Sequence, residues 1–257
     1  MEEFYFKETI GRFQIFYSPD CKSTNSLLRS MIPAYGNLGP MALYTFCQTK
    51  GRGQGTNTWL SNPGENLAIT IALKPEDFGN DPVTLNKAVT LAAAKAIEKV
   101  AETEAAIKWP NDILIENKKC CGLLMETAKI GKDNYLFAGI GINVNQSKWP
   151  ANLKAISLKN TAKKELNLDK VMRELMLAIC IYTNDIVNEH SLISKEFNEN
   201  LWMRKMRVIL ETPEGEMEAE MEEVDEKGKL VFRNSEGKVY SLHHGQVRIS
   251  KKNPGFL

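Results

Sequence analysis

Apolar residues follow two rhythms along this chain, and the change of rhythm divides it. Residues 13–17 alternate as a half-buried strand does. The runs 41–47 and 67–73 are almost wholly apolar, as a strand covered on both faces requires. Leu85, Ala88, Val89, Ala92, Ala93, Ala96, Ile97 and Val100 follow the helical period and predict a helix packed along one face. Strands are predicted again at 107–115, 120–127 and 135–144, the first broken by Pro110, which has no amide proton for a ladder. Residues 116–119 read as a polar hairpin turn and 148–160 as irregular. A long helix is predicted from 169 to about 188 and a shorter one at 192–201. The segments 206–210, 217–224, 230–233, 239–242 and 247–249 are short, and Gly215, Gly228, Gly237 and Gly245 punctuate them. They predict a small β-barrel. The boundary falls near residue 202, giving units of 1–202 and 203–257 in an α+β chain.

Composition narrows the choice of function. With 43% hydrophobic and 25% charged residues, the chain has the make-up of an ordinary globular protein. A net charge of +1 supplies no global field toward nucleic acid or membrane. No stretch approaches the length of apolar sequence that spans a bilayer. The five cysteines are odd in number and show no C-x-x-C spacing, and the acidic start Met1-Glu2-Glu3-Phe4 has no apolar core of a signal peptide. A reducing cytoplasm and no structural zinc are expected. Twelve residues precede the first predicted strand, too few for a helix-turn-helix, so specific binding to duplex DNA is not expected.

Candidate chemistry is concentrated in Gln48-Thr49-Lys50-Gly51-Arg52-Gly53-Gln54-Gly55-Thr56-Asn57-Thr58-Trp59. Three alternating glycines are costly to order unless backbone must approach something closely, and the neighbouring Lys50 and Arg52 point to an anion. The segment lacks the Gly-Lys-Ser/Thr of a Walker loop, and the turn at 61–64 excludes a dinucleotide fingerprint. A plain surface loop is the alternative; as an anion-binding loop the segment is expected to be mobile without ligand and to close over one. Ser23 and Thr24 cap the next helix, hold a polar ligand group, or do both. Lys108-Trp109-Pro110-Asn111-Asp112 crowds a cation, an amide and a carboxylate around a chain break, which a turn cap with a salt bridge explains only in part. Gly122, Gly139 and Gly141 lie inside predicted strands, where missing side chains often mark close approach of a ligand or another backbone.

Together these segments closely resemble the biotin–protein ligases. The resemblance rests on Ser23-Thr24-Asn25, Gln48 with Gly51-Arg52-Gly53, Lys108 to Asp112, Lys119 followed by Gly122-Leu123-Leu124, and Gly139-Ile140-Gly141-Ile142-Asn143-Val144. It implies a mixed sheet with flanking helices, like the class II synthetase core, followed by a small SH3-like barrel. It also implies a member without an N-terminal DNA-binding domain. The implied activity is two-step: biotin and MgATP give biotinyl-5′-AMP and pyrophosphate, and a lysine of a biotin carboxyl carrier domain then takes the biotin. ATP with Mg2+ and biotin enter as substrates, with no tightly bound cofactor, and a homodimer is compatible with the family.

By the same resemblance Ser23, Thr24 and Gln48 hydrogen-bond the biotin head, and Gly122, Gly139 and Gly141 leave space for it. Asn25, Gly51, Gly53 and Leu124 complete the biotin set. Arg52 and Lys119 hold the carboxylate and α-phosphate as the catalytic cations. Asn111, Asp112, Gln54 and Trp59 lie on the adenylate side, Trp59 against the closed loop, and Asn143 lies near the metal. Cations are what the chemistry needs, because a carboxylate attacking a phosphate brings two anions together. Two positions depart from the family pattern: Gln54 replaces a second arginine, and Thr56 stands where many relatives have glycine. Retention of the phosphate then rests more heavily on Arg52 and Lys119. Lipoate or octanoate ligases and transferases of the same fold are the rival enzymes, and a catalytically silent biotin-binding module is the rival without chemistry.

Overall fold

The computed structural model describes residues 2–35, 39–79, 81–151, 153–184, 186 and 189–253. Ten strands precede the change of period. They are β1 (Tyr5–Ile10), β2 (Phe13–Tyr17), β3 (Met41–Thr45), β4 (Gly51–Arg52), β5 (Thr58–Trp59), β6 (Leu67–Leu73), β7 (Ala106–Lys108), β8 (Asp112–Ile115), β9 (Lys118–Ile130) and β10 (Asp133–Ile142). Eight of them form one mixed sheet in the order β1-β2-β3-β6-β10-β9-β8-β7, while β4 and β5 pair as a separate hairpin. Within the sheet β2 and β3 run parallel, and the other neighbours run antiparallel. All seven residues of β6 are buried, which is why its sequence reads as an unbroken apolar run.

Among the described residues five α-helices accompany the strands: α1 (Thr24–Tyr35), α2 (Pro82–Ala101), α3 (Leu158–Ala162), α4 (Leu168–Asn184) and α5 (His190–Glu199). Asp81 starts α2 by accepting from the amides of Val83 and Thr84 at 2.9 and 3.3 Å, with Pro82 pre-set at the first helical position. The period-two alternation sends Ile15, Ala42, Tyr44 and Ile71 into the large core shared with α2 and α4. It sends Phe16, Met41, Leu43, Ala72 and Phe137 to the opposite face, under Leu27, Leu28 and Met31 of α1. Beyond Phe137 that second face continues through Gly139 and Gly141, where α1 has ended. The hollow lies there.

After α5 the chain first runs along the edge of the large sheet, with Ile107 N donating to Asn200 O and Trp202 N to Ile107 O, both at 2.8 Å. It then forms β11 (Arg207–Thr212), β12 (Gly215–Val224), β13 (Leu230–Asn234), β14 (Val239–Leu242) and β15 (Arg248–Ile249). These make an antiparallel sheet in the order β14-β13-β12-β11-β15, so the last strand returns to the first. Hydrophobic packing is continuous between the sheets, since Leu230, Phe232 and Val208 belong to the same buried cluster as Leu85 and Ile107. Lys87 of α2, 3% exposed, stands at this junction and donates to Val224 O and Asp225 O at 3.0 Å. Trp109 Nε1 donates to Gly228 O at 3.1 Å, which fixes the turn between β7 and β8 against the second sheet. The Trp109–Pro110 peptide is cis.

Two expectations need correction. A strand, β1, lies within the 12 residues thought to precede the first one. It is an edge strand exposed at most of its positions, so its apolar pattern carries no inward face to read. Part of the supposedly irregular 148–160 segment opens α3, where Ser157 and Asn160 form a reciprocal capping box. The glycine segment holds the short β4–β5 hairpin, with Gly53 N donating to Asn57 O at 2.8 Å. The end of the long predicted helix, at 185, 187 and 188, falls outside the described residues.

Lys87→Met removes the cation that bonds two backbone carbonyls, one of them buried, and should destabilise the protein by about 1.5–3 kcal/mol. Urea denaturation should show a lower midpoint at an unchanged slope. An unaltered midpoint would mean that Lys87 contributes nothing at this junction.

Candidate functional site

The register of the sheet lays out the floor of the hollow in rows. Ala68, Gly141, Gly122 and Asp112 are cross-strand neighbours in one row, and Thr70, Gly139 and Leu124 in the next. Ala72, Phe137 and Glu126 make the third row, where α1 begins to cover the sheet. Three glycines in two adjacent rows remove the layer of side chains that would otherwise fill the space above the backbone. A pocket of about 300 Å³ opens over these rows, lined also by Ser23, Thr24, Asn25, Gln48, Arg52, Gly53, Gln54, Trp59, Asn111 and Lys119.

Two aromatic and amide groups already use part of this room. A Cβ on Gly141 would lie 2.5 Å from Trp59 Cε2, so the indole rests directly on that backbone. A Cβ on Gly139 would collide with the amide of Asn25, and one on Gly122 would lie 2.9 Å from Lys119 Nζ. Gly51 faces the same constraint from Trp59, whose carbonyl oxygen would stand 2.6 Å from an added Cβ. Trp59 Nε1 is buried and makes no hydrogen bond among the described residues.

At the mouth of α1 the capping expectation is corrected. Gln48 Oε1, delivered by the segment after β3, accepts from the Thr24 amide at 2.8 Å and from the Thr24 hydroxyl at 3.2 Å. Thr24 and Asn25 are buried, and their side chains turn to Thr70, with the two threonine hydroxyls 2.8 Å apart. Ser23 is buried beside them, and its carbonyl accepts the amide of Leu27 to open the helix.

Both predicted catalytic cations stand against carboxylates. Arg52 makes a bidentate pair with Glu126, Nη1 to Oε1 at 3.0 Å and Nη2 to Oε2 at 2.7 Å. Lys119 Nζ lies 2.6 Å from Asp112 Oδ1 and 5.7 Å from the centre of the Trp59 ring. Asp112 therefore pairs with Lys119, while Lys108, its cross-strand neighbour, is half-buried nearby. Burial holds the Lys108 ammonium below its ordinary pKa; Asp112 opposes the shift, and Lys119 reinforces it.

Other predicted residues are placed less directly. Asn111 exchanges hydrogen bonds with Leu123, its side-chain amide donating to Leu123 O and its own carbonyl accepting Leu123 N at 2.8 Å. Asn143, 3% exposed, is not in the pocket wall; its amide donates to Lys119 O and Ile156 O, each at 3.3 Å. It supports the strand behind Lys119. Among the described residues no group of three or more His, Cys, Asp or Glu side chains could cage a metal ion. Sequence reasoning missed Glu126 and Thr70. The signal for Glu126 was present, since alternation carries Gly122 and Leu124 on to position 126 of the same face.

Residues 21–143, just under half of the chain, match the model of the biotin/lipoate A/B protein ligase family. Within it, the similar proteins are biotin ligases. The bifunctional ligase/repressor BirA of Bacillus subtilis is 35% identical over 51% of this chain, and the match spans 42% of that protein's length. The biotin–[acetyl-CoA-carboxylase] ligase of Mycobacterium tuberculosis is 23% identical over 81% of this chain and 79% of its own. The biotin protein ligase of Aquifex aeolicus, in complex with biotin and ATP, superimposes with a TM-score of 0.77 at 26% identity, covering 92% of this chain and 99% of that one.

Gly141→Ala should push the Trp59 indole off the sheet and loosen the β4–β5 hairpin. Trypsin should then cut after Arg52 several times faster than in the unmodified protein, while the temperature of global unfolding changes little. Unchanged cleavage would show that the indole does not hold the hairpin.

Proposed function

We propose that this chain is a biotin–protein ligase, a reading carried chiefly by two cation–carboxylate pairs that border one glycine-floored hollow. In the first step a carboxylate oxygen of biotin attacks the α-phosphorus of MgATP, and the bond to the β-phosphate oxygen breaks to release pyrophosphate. In the second the amine of a carrier-domain lysine attacks the acyl carbon of biotinyl-5′-AMP, and AMP leaves. The superposition on a ligase holding biotin and ATP supports this assignment.

Arg52 and Lys119 meet the carboxylate and the α-phosphate, offsetting the repulsion between the two anions and the charge that builds on the phosphoryl oxygens. Ser23, Thr24 and Gln48 supply hydrogen bonds for the ureido ring, whose burial without partners would cost several kcal/mol. Gly122, Gly139 and Gly141 give it depth, beside Asn25 and Leu124. Gly51 and Gly53 let the hairpin backbone approach. Trp59 forms a wall, and its unsatisfied Nε1 proton is available to a ligand oxygen. Asn111, Asp112 and Gln54 lie toward the adenylate. Mg2+ would arrive on the nucleotide phosphates, as is usual for this hard cation. Asn143 acts from behind, through the Lys119 backbone. Residues 1–202 form the ligase unit, and 203–257 a smaller β unit that braces the 108–112 turn.

The partner is the biotin carrier domain of a carboxylase, and duplex DNA is not a target. Among the described residues all five cysteines are free, in keeping with a reducing cytoplasm. No helix among the described residues is long and apolar enough to cross a membrane.

Mixing the protein with biotin, MgATP and a carrier domain should release pyrophosphate and raise the carrier's mass by one biotin. Equal turnover with lipoate or octanoate would overturn the choice of acyl group, and binding of biotin without pyrophosphate release would favour a silent binding module. Lys119→Ala should slow adenylation by roughly 10²–10³, the scale of one preorganised donor. Its stability should hardly change, because a partly exposed ion pair contributes little. Normal single-turnover adenylation in that variant would remove Lys119 from the mechanism.

A further inference from the structure

Glu126 has no part in the chemistry above, yet three elements converge on it. Its carboxylate takes both ends of the Arg52 guanidinium from β4 at 3.0 and 2.7 Å. Oε2 also accepts from Asn25 Nδ2 of α1 at 2.8 Å. Asn25 in turn is fixed from below, because its Oδ1 accepts the proton of the buried Thr70 hydroxyl. Thr70 lies 2.8 Å from the Thr24 hydroxyl, and Thr24 is bonded to Gln48. The chain of contacts Gln48–Thr24–Thr70–Asn25–Glu126–Arg52 thus begins and ends on the same glycine segment. It passes under the hollow through the floor.

We propose that Glu126 is a positioning residue: it holds the Arg52 guanidinium in one orientation at the edge of the hollow and ties that orientation to the end of α1 that borders the site. The inference rests on the assignment of Arg52 as an anion-binding cation. Arginine carries five N–H groups in a rigid fork, and the clamp uses two of them. Nε–H and one proton on each Nη remain for a carboxylate or phosphate, so the pair orients Arg52 without consuming it. Arginine on a glycine-flanked two-residue strand has little else to restrain it. The Arg52 and Glu126 side chains are 48% and 33% exposed, a setting in which an ion pair adds little to folding stability. Its effect is therefore expected in binding.

The test compares Glu126→Gln and Glu126→Asp with the unmodified protein. In biotin-dependent pyrophosphate release, E126Q should raise the KM for biotin roughly 10- to 100-fold, the scale of a displaced binding group, with a smaller change in kcat. E126D keeps the charge with a shorter reach and should fall between. In the free proteins, trypsin should cut after Arg52 several times faster in E126Q at an unchanged unfolding temperature. In an Arg52→Gln background E126Q should add almost nothing, because it acts through Arg52. A lowered KM in E126Q would mean that Glu126 sequesters Arg52, and additive losses in the double variant would mean that it acts elsewhere; either result overturns the proposal. Should the unmodified protein release no pyrophosphate with biotin, the ligase reading fails, while the cleavage rates still decide whether Glu126 restrains Arg52.

Discussion

A sheet face stripped of side chains cannot stay bare, and most of the site follows from that constraint. Gly122 and Gly141 are direct cross-strand partners, with Gly139 in the next row. Backbone this exposed would leave its atoms without packing partners, and interiors tolerate few such voids. The indole of Trp59 and the amide of Asn25 fill part of the gap, each so close that no Cβ could stand beneath it. The remaining volume of about 300 Å³ leaves room for a ligand with a planar ring beside them.

Electrostatics imposes the second condition. Two cations at one mouth repel each other and lose hydration, so each gains from a nearby anion. Arg52 has Glu126 and Lys119 has Asp112, and both pairs are partly exposed. Partly exposed pairs add little to folding stability, so their effect lies in where they hold the two cations.

The second sheet bears on the site from a distance. Asp112 sits where the β7–β8 turn re-enters the sheet, and that turn is pinned by Trp109 to Gly228 O. Lys87 closes the same junction from α2. Their shared hydrophobic cluster makes the position of Asp112, and through it Lys119, depend on packing against strands more than a hundred residues later in the chain.

How far the sequence can be read depends on the range of the forces involved. Periodicity identified β2, β6, α2 and the five late strands, because burial of one face is written in local spacing. It passed over β1, an edge strand with no buried face, and α3, whose capping box lies in a polar stretch. The glycines announced a close approach by their composition alone, as did the cations that stand beside them. What approaches them could not be read locally. Alternation assigns each residue to a face, but only the tertiary structure brings Gly141 beneath Trp59 and Glu126 against Arg52. Those two pairings join residues 82 and 74 positions apart, and long-range packing of the sheet, helix α1 and the hairpin decided them.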